Sequence, residues 1–433
     1  MSRYLALLRR RDYRLLWTGA TVSALGDGMS FVALIWLMVE RGGGPADIGL
    51  LSAIYTAPVI VGGLVAGVIL DRFDRRHVIA ADNVIRGLAI ASVPIADALG
   101  VLTTAQLFAV AAIYGLLFMT SIAGIPSLIP TLVAEDELTT ANAMESITDG
   151  IAGLIGPGLA GLVITILDAT TVLAIDAVTY GVFVVCLLLM GPETRPVAAP
   201  EPELEPGAAP GAVPGVAPGV APATSGGIGP AVRFVLGAPA IVAITAMYMG
   251  LNLAGGISSV LIPIYARDVL GGDATTYGLL LSVMTGGGLL GLVAIGAMGW
   301  RWPLGRSIAV AATVSGVILG LMVLRPGLAL TVVILGASGF TESSLTPWAQ
   351  TIRMRLIPPN LRGRVFALLR TTMQSTRPVG AVLGGLVLAG GDLTLALVLV
   401  ALLVFVPGAL GLVSPALGPV ATLEPARPAR IPG

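Results

Sequence analysis

The chain has 433 residues, of which 56% are hydrophobic and only 11% charged, and its mean hydropathy is +0.94. Soluble domains carry about 25% charged residues, and this length would make roughly three of them, so the chain is instead expected to cross a membrane many times. A formal net charge of zero, one cysteine (Cys186) and one histidine (His77) exclude an overall basic footprint for nucleic acid, a disulfide framework and a Cys/His metal cluster.

All 24 basic residues are arginine, and the first fourteen residues form a short basic amphipathic arm. That arm lacks the small-residue cleavage site of a signal peptide, so removal of a leader is not expected. Stretches of about 20 apolar residues, enough to cross a bilayer, then follow in series. The first six are Leu15–Val39, Ile48–Leu70, Val78–Ala98, Ala105–Pro130, Ala143–Leu167 and Thr171–Met190. Six more follow at Ala238–Tyr265, Thr276–Gly299, Ser307–Leu324, Leu328–Trp348, Val365–Gly390 and Leu393–Val413. These are spans 1 to 12. Short connections make sequential neighbours antiparallel.

Eighteen arginines fall in the arm, the even-to-odd connections and the tail, whereas Arg41, Arg267 and Arg325 alone fall on the other side. By the positive-inside rule the arginine-rich face, with both termini, is expected in the cytoplasm of a cell-membrane protein. Residues 191–230 interrupt the pattern with prolines at every fourth position from Pro202 to Pro222. A segment of that composition cannot pack a core and reads as an extended tether. The expected domains are therefore a six-helix half (1–190), a linker (191–230), a second six-helix half (231–414) and a cytoplasmic tail (415–433). Proline and glycine series in spans 4–5 and 10–11 recur at an offset of roughly 221 to 225 residues. Two inherited six-helix repeats, a transporter architecture, account for that recurrence.

Between spans 2 and 3 lies Gly67-Val68-Ile69-Leu70-Asp71-Arg72-Phe73-Asp74-Arg75-Arg76. This run resembles motif A of the major facilitator superfamily, with Asp74 in place of the usual second glycine. Ser23-Ala24-Leu25-Gly26-Asp27, Asp82 with Arg86, Ala141-Asn142-Ala143 and Arg362-Gly363-Arg364-Val365 resemble the branch containing enterobactin exporters and macrolide efflux proteins. Gly156-Pro157 with Gly161 is similar to motif C of drug/proton antiporters, although Ala152 and Ala160 stand at two of its glycine positions. The resemblance implies an all-α membrane protein with twelve transmembrane helices in two pseudo-symmetric halves. It also implies that Asp71 latches the cytoplasmic side against the start of span 11, with Gly67 admitting close helix approach. The plainer reading of Asp71, Arg72, Arg75 and Arg76 is a solvated topology signal. Pro157 bends span 5 by removing a hydrogen bond, and its small neighbours admit another helix.

Ionisable residues within spans cost roughly 2.5–3.5 kcal/mol each on insertion scales, so they mark function by default. Asp27 lies near the middle of span 1, Glu342 within span 10 and Asp149 within span 5, and these three are the candidates for proton and substrate binding. The alternative for each is a hydrogen-bonded structural acid. Asp82 and Arg86 are one turn apart and are expected to pair along their helix. Asp176 is expected to be solvated near the end of span 6, and Arg370 to reach the cytoplasmic end of span 11. Trp36, Tyr55, Tyr248, Asn252, Gln374 and Arg377 are candidates to line a cavity, against the alternative of ordinary packing.

These readings point to a proton-coupled secondary exporter of amphipathic small molecules, not an enzyme, with no cofactor or metal. Its expected partners are substrate, protons and membrane lipids, and a monomer is expected. The alternatives are a lipid flippase on the same fold and a non-transporting scaffold or sensor.

Overall fold

The computed structural model describes residues 2–191, 228–298 and 302–418, and every regular element among them is helical. Most of the 191–230 linker and all of the tail beyond 418 lie outside the described residues.

A short helix α1 (Ser2–Arg9) precedes α2 (Arg11–Glu40), which is span 1. Span 2 is broken at Ala57, one residue before Pro58, into α3 (Pro45–Thr56) and α4 (Pro58–Arg72). Spans 3 to 6 are α5 (Arg75–Ala98), α6 (Thr104–Leu132), α7 (Leu138–Ile166) and α8 (Ala169–Leu189). After the linker, α9 (Gly229–Leu236) leads into α10 (Pro239–Ile264), α11 (Ala274–Met298) and α12 (Leu304–Gly320), spans 7 to 9. Span 10 is α13 (Leu328–Ser343) with α14 (Leu345–Leu356), span 11 is α15 (Arg362–Gln374) with α16 (Thr376–Ala389), and span 12 is α17 (Leu393–Val413).

Eleven of these spans are long and apolar enough to cross a membrane. The exception is span 11, which is interrupted at Ser375 and carries Arg362, Arg364, Arg370 and Arg377. Twelve apolar crossings were expected; at the eleventh position the helix is split and cationic.

Side-chain oxygens start several helices by taking otherwise unpaired backbone N–H groups. Asp74 accepts from the N–H groups of Arg76 (2.9 Å) and His77 (3.3 Å), Asp168 from Thr171 and Asp392 from Leu395. On the face away from the arginines, two left-handed turns, at Gly42 (φ 76°) and Gly100 (φ 71°), recur in the second half at Gly271 (φ 60°) and Arg325 (φ 52°). Glycine adopts this region freely, whereas Arg325 is the non-glycine residue found there. Gly100 and Arg325 are 225 residues apart, within the proline and glycine offset read from the sequence, and Gly42 and Gly271 are 229 apart.

The core shows how the halves meet. Toward the face opposite the arginines one continuous cluster joins Val32–Val39, Ile48 and Leu51 to Val260, Tyr265, Tyr277 and Leu388. Toward the arginine-rich face the core separates by half. Leu7, Tyr13, Leu128 and Phe183 form one cluster, while Ile244, Ile308, Trp348 and Leu417 form another. The bundle is sealed at one face and divided at the other.

Small residues make the seal. A Cβ on Gly49 would lie 2.6 Å from the Ala381 carbonyl oxygen, and one on Gly385 2.9 Å from that of Pro45, so α3 and α16 meet backbone to backbone. Gly161 abuts the Ala274 carbonyl and Gly278 that of Pro157, which closes α7 on α11. Gly156, one turn earlier, packs instead on Gly28 of α2.

Candidate transport site

Within the first half, four helices converge on Arg86. Its guanidinium holds Asp82, one turn back on α5, through Nη2 at 2.7 Å and Nε at 3.1 Å. Nη2 also donates to Ser121 Oγ on α6 at 2.6 Å, and Nη1 lies 3.4 Å from Asp27 Oδ1 on α2. Tyr180 of α8 donates its hydroxyl to the same Asp27 oxygen, and the rings of Tyr180 and Tyr114 lie 4.8 and 5.6 Å from the guanidinium carbon. The Asp82–Arg86 pair expected from the sequence is present, but it is one edge of a network linking spans 1, 3, 4 and 6.

Asp27 is therefore not an isolated acid. Its side chain is 20% exposed while those of Arg86 and Asp82 are 1% and 2% exposed, so it is the member of this ion-paired set that water reaches. Gly26, beside it, lies against Asp176 and Thr179 of α8, with no room for a Cβ. Asp176 itself is fully buried, accepting from Ser30 and from Thr179 Oγ1 at 2.9 Å. The expectation of a solvated Asp176 is overturned: α8 turns it into the bundle, where the Thr179 hydroxyl of its own helix and the Ser30 hydroxyl of α2 satisfy it. Asp27, Asp82 and Asp176 thus set three carboxylates around one guanidinium.

The other candidate acids lie apart. Glu342 accepts a 2.7 Å hydrogen bond from Ser315 of α12, tying it to span 9. Asp149 is exposed and lines a crevice of about 60 Å³ with Glu145, Trp17 and Tyr13, between spans 1, 4 and 5. Glu145 was missed in the sequence, although it sits one turn before Asp149.

The cavity candidates divide similarly. Trp36 is buried and stacked on Tyr277 (centroids 6.1 Å apart), and it borders a crevice of about 440 Å³ at the sealed face with Glu40 and Arg267, not a chamber between the divided ends. Tyr248 donates to Thr346 Oγ1 at 3.2 Å beneath Arg353, and Asn252 donates to the Tyr248 carbonyl at 2.8 Å, so both bond within the second half. Tyr55 belongs to an aromatic ladder that the sequence did not reveal. Phe31, Tyr55, Tyr114 and Phe118 follow one another at centroid separations of 5.0, 4.5 and 5.6 Å. Arg377 is exposed near the start of α16. Gln374, half-buried, ends α15 at the break.

At the motif-A corner, Asp71 is exposed and makes no hydrogen bond or ion pair among the described residues, and a Cβ on Gly67 would meet open space. The expected close approach at Gly67 and latch at Asp71 are not made in this conformation, because the halves are divided at that end. Arg72 is likewise exposed. Arg75 donates to the Ser127 carbonyl (2.9 Å), and Arg76 to those of Leu188 (2.8 Å) and Gly191 (3.0 Å), fastening the ends of spans 4 and 6. Asp74, the departure from the motif, serves as the N-cap of span 3.

The chain is similar to several known transport proteins. Residues 2–212 match the family described as transmembrane secretion effector. The multidrug efflux pump Tap of Mycolicibacterium fortuitum is 25% identical over 393 residues, covering 87% of this chain and 89% of that protein. Macrolide efflux protein A of Streptococcus pyogenes is 25% identical over 170 residues, covering 37% and 40%. Among solved structures, the nucleoside transporter NupG superposes with a TM-score of 0.70 at 14% identity, over 95% of this chain and 98% of that one. A bacterial homologue of the iron transporter ferroportin in its inward-facing state gives 0.67 at 19% identity, over 94% and 98%. In fold and motifs the chain is similar to transporters of the major facilitator type, and in sequence it resembles the multidrug and macrolide efflux proteins.

Proposed function

We propose that this protein is a secondary exporter of amphipathic small molecules, working by alternating access and driven by proton exchange at Asp27. The arginine-rich face is the cytoplasmic one, so the conformation described is open inward, with the 191–230 segment tethering two halves that rock about the seal between α3 and α16 and between α7 and α11. Kinship to proteins named for multidrug and macrolide efflux supports export of such compounds. The observation that carries proton coupling is the partly exposed Asp27 carboxylate, bound to Arg86 and Tyr180. Protonating Asp27 removes its half of the ion pair, which frees Arg86 to favour Asp82 alone and loosens span 1 from spans 3 and 6. Outward release of substrate and inward release of the proton then alternate at one two-state element.

Everted membrane vesicles test this directly. With an imposed proton gradient, vesicles holding the protein should accumulate members of a macrolide and dye panel, and a protonophore should abolish the accumulation. Uptake equal to that of empty vesicles across the panel would overturn export, and protonophore-insensitive uptake would overturn proton coupling.

A further inference from the structure

Span 11 carries a feature that proton coupling leaves unused. Arg370 on α15 and Arg377 on α16 flank the break at Ser375, seven residues apart with Gln374 between them. Both lie on the side of span 11 that meets the first half. Arg370 Nη2 lies 3.7 Å from Met119 Sδ of α6, and the contacts of Gly49 with Ala381 and of Pro45 with Gly385 run α3 and α16 antiparallel, which sets Arg377 level with the Tyr55 end of α3. Arg370 was expected to extend toward the cytoplasmic end, and it crosses to the opposite half instead. Both arginines are exposed, and neither forms an ion pair among the described residues. Arg377 lies roughly 22 Å along the helix from its start at residue 362. A guanidinium at that depth facing lipid would be costly, which favours its facing the divide between the halves.

An unneutralised pair of guanidiniums beside a wall of aromatic rings defines a ligand. Guanidinium groups grip carboxylate, sulfonate or phosphate through forked hydrogen bonds. Tyr55 and Phe118, both half-buried and stacked on Tyr114, present an aromatic wall to an apolar body, while the Asp27 carboxylate is already engaged by Arg86. We infer that the central chamber binds amphipathic organic anions or zwitterions, with Arg377 and Arg370 holding the acidic group and the Tyr55–Phe118 wall the aromatic body. This assignment deepens the export reading and rests on it. It predicts that acidic members of any substrate series are preferred over their cationic counterparts. Tyr55, stacked on Tyr114, which in turn covers Arg86, also supplies a contiguous physical path from the bound anion to Asp27.

The test is equilibrium binding to the purified full chain in detergent, which requires neither transport nor a gradient and can fail independently of export. The compounds are 2-naphthoate, its methyl ester and 2-naphthylmethylamine, three versions of one aromatic body. Wild-type protein should bind the acid at least tenfold more tightly than the ester or the amine. Arg370→Gln/Arg377→Gln should erase that preference while leaving ester affinity unchanged, which also verifies folding; Arg377→Lys should keep part of it. Competition by phosphatidylglycerol would identify a lipid anion as occupant of the stripe, and competition by soluble aryl carboxylates alone a free solute; each supports the anion assignment. Equal affinity for acid and ester, preference for the amine, absence of saturable binding, or acid preference surviving in the double variant would overturn it.

Discussion

Arg86 Nη1 lies 3.4 Å from Asp27 Oδ1, joining the middle of span 3 to the middle of span 1. The contact is long and part-exposed, whereas the same guanidinium grips Asp82 at 2.7 Å in full burial. One side of the arginine is thus a fixed structural pair, and the other is a bond that can be made and broken.

Removing the arginine should expose that division. Arg86→Gln leaves two carboxylates uncompensated, and breaking a buried pair from one side costs about 3–5 kcal/mol. The double variant Asp82→Asn/Arg86→Gln should recover much of the loss. Thermal unfolding of the detergent-solubilised variants checks this, and the double variant should melt above the single one.

Packing around Asp27 makes a second, steric prediction. Gly26→Ala places a methyl group on Asp176 and Thr179, and overpacking of this kind costs typically 1–3 kcal/mol. Gly255→Ala on span 7 meets open space and should be neutral. Comparing the yield and melting temperature of the two variants separates close packing from a general intolerance of larger residues in glycine-rich spans.

The seal between α7 and α11 predicts a conformational effect. Gly161→Val would push its side chain into the Ala274 carbonyl and part the two helices at the sealed face. A cysteine at Thr165 in a Cys186→Ala background should then react several-fold faster with an impermeant thiol reagent in intact cells. An unchanged rate would show that α7 and α11 do not form the gate.

Asp74 supplies a milder test at the motif-A corner. Asp74→Ala removes the N-cap of span 3 and should cost about 1 kcal/mol, whereas Asp74→Asn should cost less because a side-chain oxygen remains. Glycine, the usual residue of the motif there, lies between them on the same scale.

Much of the fold was legible because hydropathy and arginine placement act locally along the chain. The break in span 2 is written as Pro58, and the close contacts at Gly156 and Gly161 are written as small residues. The site was legible only in parts. Asp27, Asp82 and Arg86 stand out as charges within apolar spans, yet nothing local says that they meet, since that depends on how spans 1 and 3 are rotated. Asp176 and Tyr180 are one turn apart, as are Asp82 and Arg86, and that spacing was the available signal for a second polar edge. Its direction, into the bundle, follows from Gly26 leaving room on span 1. The state of motif A was not legible, because a latch that opens and closes has one sequence and two structures.

The central claim is that Asp27 exchanges a proton for substrate, and proton release from purified protein measures it most directly. A weakly buffered solution of the detergent-solubilised chain receives a transported compound while a pH dye reports released protons. Wild-type protein should release up to one proton per bound substrate, and Asp27→Asn should bind the compound while releasing none. Wild-type release from Asp27→Asn would contradict the assignment of the coupling site.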